Sequence, residues 1–229
     1  MTGPRGSARE ASTIRDPVPG ELARRVRARA GIGDRRFLLG ITGPPGTGKS
    51  TLAEALRTAL APDAEIAPMD GYHLPNAVLD ERGARERKGE PDTFDLEGFV
   101  ANLRALRSEP RVPWPTFDRA RDEPTPAGVT FTTQRIALVE GNYLLTWPEV
   151  RPLLDEVWYL DAPRDLLAER LLARHRAGGR DEAAAHRKVY GSDLRNAELI
   201  AGTRRHADLI LLPPGETGVD PAPAPGAAP

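Results

Sequence analysis

A stretch of nine residues decides the fold, and it reads Gly43-Pro44-Pro45-Gly46-Thr47-Gly48-Lys49-Ser50-Thr51. It follows a short apolar run at residues 36–42 and precedes a segment whose apolar residues recur at helical spacing. The stretch matches the G-x-x-x-x-G-K-[ST] pattern of a phosphate-binding loop in full. Its glycines let successive backbone N–H groups point at phosphate oxygens, and the following helix adds its positive N-terminal end. The stretch therefore predicts a nucleotide-binding site.

Two side chains of this loop have specific expected roles. Lys49 is predicted to bridge the β- and γ-phosphates from an exposed position, and the Ser50 hydroxyl is predicted to reach a magnesium ion. No asparagine of the chain is followed by lysine, so the N-K-x-D pattern that reads guanine is missing. ATP with Mg²⁺ is therefore the expected nucleotide.

The composition excludes several classes of protein. Lys plus Arg total 32 and Asp plus Glu total 33, which argues against binding to nucleic acid or an anionic membrane through bulk charge. The absence of cysteine excludes disulfides, thiol nucleophiles and Cys-ligated zinc. The longest strictly apolar runs have four residues, too few for a membrane helix or a signal peptide. We expect a cytoplasmic protein with neither a nucleic-acid partner nor a membrane partner, and we leave a homodimer open.

Strand-like runs alternate with helical patterns, which predicts an α/β fold with a parallel five-stranded sheet and helices on both faces. The strands are expected at residues 36–42, 64–69, 135–139, 156–160 and 207–211. A small β insert is expected from residues 112–117 and 129–133. Residues 1–19 and 213–229 are rich in Pro, Gly and Ala, and we expect them to be mobile tails of one P-loop domain over residues 20–212.

Two carboxylates follow predicted strands, where open α/β sheets place their ligands. Glu140 ends the run at residues 136–139 and is expected to hold magnesium, directly or through water. Asp70 ends the run at residues 64–69 and is placed to accept the proton of an acceptor hydroxyl. From the residues alone, a turn role is an equal alternative for Asp70, and the start of a solvated loop is the alternative for Glu140.

The sequence around these acids resembles the phosphoribulokinase/uridine kinase family, which includes type I pantothenate kinases. The resemblance is carried by Asp70-Gly71-Tyr72-His73-Leu74-Pro75-Asn76, by Lys88-Gly89-Glu90-Pro91 with Asp95, and by the turn Glu140-Gly141-Asn142. It covers roughly residues 38–211 and implies a P-loop kinase fold, with Asp70 as the base and Glu140 beside magnesium. The segment Pro115–Arg119 departs from pantothenate kinases and is similar to bacterial nucleoside/nucleotide kinase-like proteins.

Residues near the base and in the β insert are candidates for binding the acceptor, and they are Tyr72, His73, Trp114, Phe117 and Arg119. Arg119 suits a carboxylate or phosphate, because its planar fork binds oxyanions in pairs. The resemblance also implies a helical lid at residues 169–180, with Arg174 and Arg180 at the transferring phosphoryl group. An ordinary solvated arginine-rich helix is the alternative for this segment.

Two classes of function compete on these observations. The first is a kinase that transfers the γ-phosphate of ATP to a hydroxyl of a nucleoside, sugar or pantothenate-like molecule. The second is a regulatory module that binds and hydrolyses ATP without a small-molecule acceptor. Asp70 and the β insert favour the kinase, because a bare switch needs neither.

Overall fold

The computed structural model of the protein describes residues 11–214. The strands are β1 (Ser12–Arg15), β2 (Phe37–Thr42), β3 (Ala64–Pro68), β4 (Val112–Asp118), β5 (Glu123–Phe131), β6 (Ile136–Glu140), β7 (Glu156–Leu160) and β8 (Leu209–Leu212). The α-helices are α1 (Pro19–Ala30), α2 (Lys49–Ala59), α3 (Asn76–Glu81), α4 (Leu96–Ser108), α5 (Arg164–Ala177), α6 (Glu182–Lys188) and α7 (Leu194–Ala201). Strands and helices alternate along most of this length, as the apolar pattern predicts.

The main sheet is parallel and has the strand order β1-β8-β7-β2-β6-β3. The strand before the phosphate loop, β2, lies in its interior between β7 and β6. Because all its strands run in the same direction, their carboxyl ends meet at one edge of the sheet. This edge is where a parallel α/β sheet binds its ligand.

The sheet has six strands, so the prediction of five is wrong by one. The additional strand is β1, which pairs with β8 at the edge of the sheet, with Ser12 opposite Leu209. It lies within residues 1–19, which the sequence analysis expects to be a mobile tail. Four residues are too few to show a strand period, and pairing with β8 and packing of Ile14 on the core supply what the local pattern lacks. The rest of the expected tails, residues 1–10 and 215–229, lies outside the described residues.

Each face of the sheet has its own core, because alternate residues of a strand point to opposite faces. Leu38 and Val139 pack on one face with α4 and the β4–β5 hairpin. Leu39 and Leu138 pack on the other face with α1 and α2. A third, smaller cluster joins α5 to α7 beyond the edge of the sheet. Between residues 11 and 214, no helix is long and apolar enough to cross a lipid bilayer.

The predicted β insert is an antiparallel hairpin of β4 and β5, separate from the main sheet. The Pro-rich residues 122–128, which separate the two predicted β pieces in the sequence, lie mostly in β5. Proline is tolerated there because a two-stranded hairpin consists of edge strands. The hairpin packs on the 3₁₀ turn Met69–Tyr72 that follows β3. It therefore stands directly over the carboxyl edge of the sheet.

Candidate active site

The phosphate loop connects β2 to α2 at the centre of this edge. Gly43 has φ +139°, and a Cβ on it would lie 2.1 Å from the carbonyl oxygen of Leu160, so the first loop position accepts only glycine. The α2 helix begins at Lys49 after Gly48, with no side-chain cap. Its first N–H groups therefore remain available to an anion.

Lys49 turns back into its own loop. Its Nζ donates to the carbonyl of Pro44 at 2.9 Å, and the residue is only 6% exposed. The expectation of an exposed side chain is therefore wrong, because the loop wraps around the lysine instead of presenting it. Burial lowers the pKa of Lys49 to about 8, and the nearby carboxylates of Glu140 and Asp70 partly oppose that shift.

Ser50, in the first turn of α2, lies beside Glu140 at the end of β6. The Ser50 hydroxyl donates to Glu140 Oε2 at 3.4 Å. Burial raises the pKa of Glu140, while the ammonium of Lys49 lowers it. A hydroxyl and a carboxylate are hard oxygen donors that suit Mg²⁺, so the residues fit this ion. No cluster of three or more acidic, His or Cys side chains suited to a metal occurs in residues 11–214.

Asp70 lies on the 3₁₀ turn after β3, on the other side of Lys49. A Cβ on the next residue, Gly71, would come within 2.1 Å of the Pro115 carbonyl oxygen, so the Asp-Gly pair allows the hairpin to press against this turn. The Asp70 side chain remains 38% exposed, and Arg119 Nη2 lies 3.8 Å from its Oδ2. The carboxylate is thus open to the cleft and faces one cation from the hairpin.

Three of the five predicted acceptor residues line the cleft, namely His73, Phe117 and Arg119. The imidazole of His73 stacks between Phe94 at 4.1 Å and Phe117 at 4.7 Å, and its Nδ1 contacts the carbonyl of Asp70 at 2.7 Å. Burial lowers the pKa of His73. This wall of the cleft is therefore aromatic and close to the candidate base.

The expectation that Tyr72 and Trp114 contact the acceptor is wrong. Tyr72 is 6% exposed and Trp114 is fully buried. Their rings meet edge to face at 5.2 Å in the core under the hairpin, and the Trp114 indole donates to the carbonyl of Pro68 at 3.0 Å. Large aromatic side chains bury more apolar surface by supporting the turn than by lining a polar cleft. From the core, they support the part of the cleft wall that His73 and Phe117 form.

Lys88 is a residue of this site that the sequence analysis did not assign. Its Nζ donates to Asn76 Oδ1 at 2.6 Å, contacts the backbone carbonyl of Asp122 and lies 3.1 Å from that residue's carboxylate. It also sits 5.0 Å from the centre of the Phe117 ring. The ammonium thus joins α3 to the tip of the hairpin.

A signal for Lys88 was present in the composition. The chain has 32 basic residues, of which only Lys49, Lys88 and Lys188 are lysines. All three lysines line the same cleft. In a chain that otherwise uses arginine, these positions favour a compact ammonium over a planar guanidinium.

The predicted lid, residues 169–180, forms most of α5 and the turn after it, and Arg174 and Arg180 both line the cleft. The charge of Arg174 lowers the pKa of Lys49, so the two cations lie close together. Arg170 Nη1 donates to the carbonyl of Gly46 at 3.3 Å, which ties the lid to the phosphate loop. The Arg180 guanidinium donates to His175 Nδ1 at 2.9 Å.

These elements enclose one open cleft of about 1380 Å³. The phosphate loop, the lid, Asp70 and residues of the hairpin all line it. The cleft brings together the predicted metal, base and lid residues, together with His73, Phe117 and Arg119 from the acceptor set. It can hold a triphosphate chain and a second small molecule at the same time.

The chain is similar in sequence to known proteins. The family model described as phosphoribulokinase/uridine kinase family matches residues 38–213. The YggC protein of Escherichia coli strain K12 is 35% identical over 186 residues, covering 77% of this chain and 78% of YggC. A pantothenate kinase of Parvibaculum lavamentivorans is 34% identical over 214 residues, covering 76% of this chain and 65% of that protein.

Solved structures support the same fold. The crystal structure of a candidate fructose transport system kinase from Silicibacter sp. TM1040 aligns with a TM-score of 0.79 and 38% identity, covering 85% of this chain and 98% of that one. YFH7 from Saccharomyces cerevisiae aligns with a TM-score of 0.75 and 20% identity, covering 87% of this chain and all of that one. The second likeness concerns the fold alone. The predicted fold class and the family resemblance are confirmed.

Proposed function

Because the chain belongs to the phosphoribulokinase/uridine kinase family of P-loop kinases, we propose that it uses ATP with Mg²⁺ to phosphorylate a hydroxyl of a small molecule. One observation carries the proposal. The phosphate loop and the partly exposed carboxylate of Asp70 line the same cleft of about 1380 Å³. A kinase needs this arrangement, since it must hold donor and acceptor in line.

The donor half of the reaction belongs to the loop and the lid. The backbone N–H groups of residues 43–51 hold the triphosphate, and Lys49 leaves the Pro44 carbonyl to neutralise the β- and γ-phosphates. Ser50 and Glu140 hold the magnesium ion. When bound, this ion offsets the charge that develops on the phosphate oxygens. Arg174 and Arg180 add positive charge from the lid side.

The acceptor half centres on Asp70. The acceptor oxygen forms a bond to the γ-phosphorus as the bond from that phosphorus to the β,γ-bridging oxygen breaks. The hydroxyl proton passes to the carboxylate of Asp70, which its exposure to the cleft and its position across from Lys49 support. ADP and the phosphorylated acceptor are the products.

The acceptor lies against the wall formed by His73 and Phe117 and beneath Arg119. The Arg119 side chain is 71% exposed, and its contact with Asp70 is long, at 3.8 Å. It is therefore free to turn toward a carboxylate or phosphate on the acceptor. The relatives include a pantothenate kinase and a candidate fructose transport system kinase. Pantothenate-like, sugar and nucleoside acceptors therefore remain the classes to test.

A regulatory ATP-binding module is the competing function. It accounts for the phosphate loop and the magnesium residues, but it leaves the hairpin and the exposed carboxylate of Asp70 without a role. Arg119, which follows the first strand of the hairpin, has its Nη2 3.8 Å from Asp70 Oδ2, and this contact favours the kinase.

The test is a screen for ADP release with uridine, cytidine, pantothenate, fructose, ribose and ribulose 5-phosphate. We expect one of these acceptors to raise ADP release well above the rate without acceptor. If none does so while the protein binds ATP, the regulatory module becomes the better assignment. For an anionic acceptor, Arg119→Met should raise its KM, while the matched variant Arg121→Met should not, since Arg121 is 82% exposed and pairs with Asp118.

A further inference from the structure

A buried histidine–aspartate pair joins the lid to the turn that follows α6, and it has no part in the function proposed above. His175, in the last turn of α5, and Asp193, at the end of the π-helical turn Val189–Asp193, are each 7% exposed. His175 Nε2 lies 2.6 Å from Asp193 Oδ2. Both residues nevertheless reach the wall of the cleft. A polar pair buried beside a reaction cleft invites a functional explanation.

The partners of the imidazole fix which nitrogen carries the proton. Arg180 Nη1 lies 2.9 Å from His175 Nδ1, and a guanidinium can only donate hydrogen bonds. Nδ1 must therefore accept, so the proton of a neutral imidazole is on Nε2. The Nε2–H group then donates to Asp193. The result is a continuous chain of hydrogen bonds from Arg180 through His175 to Asp193.

This chain restrains the one lid arginine that follows the Gly178-Gly179 turn. The backbone N–H of Arg180 also donates to the carbonyl of His175 at 3.1 Å. Arg180 is thus held at its backbone and at its side chain, although the residue itself is exposed and lines the cleft. Long arginine side chains lose much rotamer freedom when they bind, and prior restraint reduces that loss.

We propose that His175 and Asp193 are positioning residues that orient Arg180 toward the transferring phosphoryl group. The inference rests on the kinase function proposed above. It assigns Arg180 a fixed geometry, in contrast to Arg174, for which no side-chain hydrogen bond or ion pair is found within residues 11–214.

A neighbouring arginine shows why a histidine is used. Arg176 binds the carboxylate of Glu182 directly, at 2.6 Å and 2.5 Å, and it does not line the cleft. A carboxylate bound directly to Arg180 would neutralise its charge, as Glu182 neutralises that of Arg176. A neutral imidazole orients the guanidinium and leaves its charge and its other N–H groups available to phosphate oxygens.

The experiment measures affinities for ADP and for the ATP analogue AMPPNP, both with Mg²⁺, by titration calorimetry of the full chain. We expect Arg180→Ala and His175→Leu each to lower the affinity for AMPPNP relative to ADP by about tenfold, because both remove the oriented contact to the γ-phosphate. The double variant should lose no more than Arg180→Ala alone, since His175 acts through Arg180. Glu182→Gln, the matched control on Arg176, should bind both nucleotides as the wild type does.

The outcomes separate this inference from the proposed function. If the wild type bound neither nucleotide, the kinase assignment itself would fail. If the wild type bound both and His175→Leu kept the wild-type ratio, or if the two single effects multiplied in the double variant, the positioning role would be overturned.

A second readout covers a His175→Leu variant that does not fold. His175→Gln retains an acceptor and a donor, and it should keep most of the wild-type ratio. The imidazole ¹⁵N shifts of the wild type should show His175 with an unprotonated Nδ1 and a protonated Nε2. The opposite tautomer, or an imidazolium at neutral pH, would contradict the hydrogen-bond chain.

Discussion

At the scale of single residues, the burial of Lys49 in the phosphate loop lowers the stability of the fold but places a positive charge where the proposed function needs it. The loop that is proposed to hold phosphates buries the ammonium of Lys49. Among the described residues, the only hydrogen-bond partner of this ammonium is the Pro44 carbonyl. Burial is the largest influence on this group, and it lowers its pKa to about 8. Under the proposed function, this charge is kept in a poorly solvated place because it neutralises a triphosphate.

A Lys49→Met variant tests this effect of burial. The pKa in the folded state, about 8, is below the ordinary value of 10.5, so the stability due to a neutral amine is present above pH 10.5 and is lost as the pH falls to about 8. The variant lacks this pH dependence. Its free energy of unfolding should exceed that of the wild type by up to about 3 kcal/mol at neutral pH, at about 1.4 kcal/mol per pKa unit.

The measurement is urea unfolding of both proteins at neutral pH and near pH 10, with an ADP titration alongside. The stability difference should shrink at the higher pH, and the variant should lose most of its affinity for ADP. A difference that stays the same at both pH values would show that Lys49 is not desolvated in the folded protein.

At the scale of elements, the hairpin is held over the base by contacts from two sides. Trp114 anchors its first strand to the end of β3, and Lys88 anchors its tip to α3. These contacts place Phe117 and Arg119 on the acceptor wall. The position of the hairpin is thus a property of three elements that are separate in the sequence.

Replacement of Lys88 by methionine should loosen the hairpin. The variant removes the cationic donor to the Asp122 carbonyl and the Asn76 side chain, while the direct hydrogen bond from Asn76 Nδ2 to that carbonyl at 2.9 Å remains, so the cost should be about 1 kcal/mol in stability. Amide hydrogen exchange in β4 and β5 should accelerate. Lys188→Met, the matched replacement of another lysine of the cleft, should leave the exchange of the hairpin unchanged, and an equal effect of both variants would refute the anchor.

The sequence predicts some elements well because their signals are local. The phosphate loop is a contiguous pattern, and Asp70 and Glu140 are recognisable as acids at strand ends. The edge strand β1 is too short for a period, and its stability comes from β8. The sequence predicts Tyr72 and Trp114 at the acceptor because one neighbours Asp70 and the other lies in the β insert, whereas both side chains are buried in the core.

Contacts between distant segments explain the remaining omissions. Lys88 meets Asp122 across 34 positions and His175 meets Asp193 across 18. No local pattern predicts either pair. The clue for Lys88 was the rarity of lysine in an arginine-rich chain, and no comparable clue existed for His175.

At the scale of the whole molecule, the carboxyl edge of the sheet carries a glutamate that lines the cleft, and the opposite edge carries a glutamate that stabilises the fold. Glu140 closes β6 at the carboxyl edge and faces the cleft. Glu156 opens β7 at the opposite edge, where its buried carboxylate contacts Arg25 at 2.7 Å and Arg29 at 3.2 Å. It also accepts from the Trp158 indole at 2.7 Å. One glutamate serves the cleft, and the other ties α1 to the sheet.

A pair of matched Glu→Gln variants tests this division. Glu156→Gln should lower the free energy of unfolding by about 1–3 kcal/mol and leave the affinity for ADP unchanged, because it breaks a buried ion pair far from the cleft. Glu140→Gln should not lower stability, since burial raises the pKa of that carboxyl and already opposes its charge. It should instead weaken the effect of Mg²⁺ on ADP binding.

Urea unfolding and ADP titrations with and without Mg²⁺ measure both effects. If Glu156→Gln altered nucleotide affinity as strongly as Glu140→Gln did, the two ends of the sheet would not be independent.

The most direct test of the central claim is the behaviour of Asp70→Asn with the acceptor that the ADP-release screen identifies. The amide keeps the size and hydrogen bonding of the side chain but cannot take a proton, and positioned bases contribute about 10²–10⁴-fold to rate. The account predicts near wild-type affinity for ATP with Mg²⁺ and a loss of acceptor phosphorylation of that order. Asp80→Asn, at an exposed position of α3, serves as the control. Transfer at the wild-type rate by Asp70→Asn would contradict the account, because the proton would then leave without Asp70.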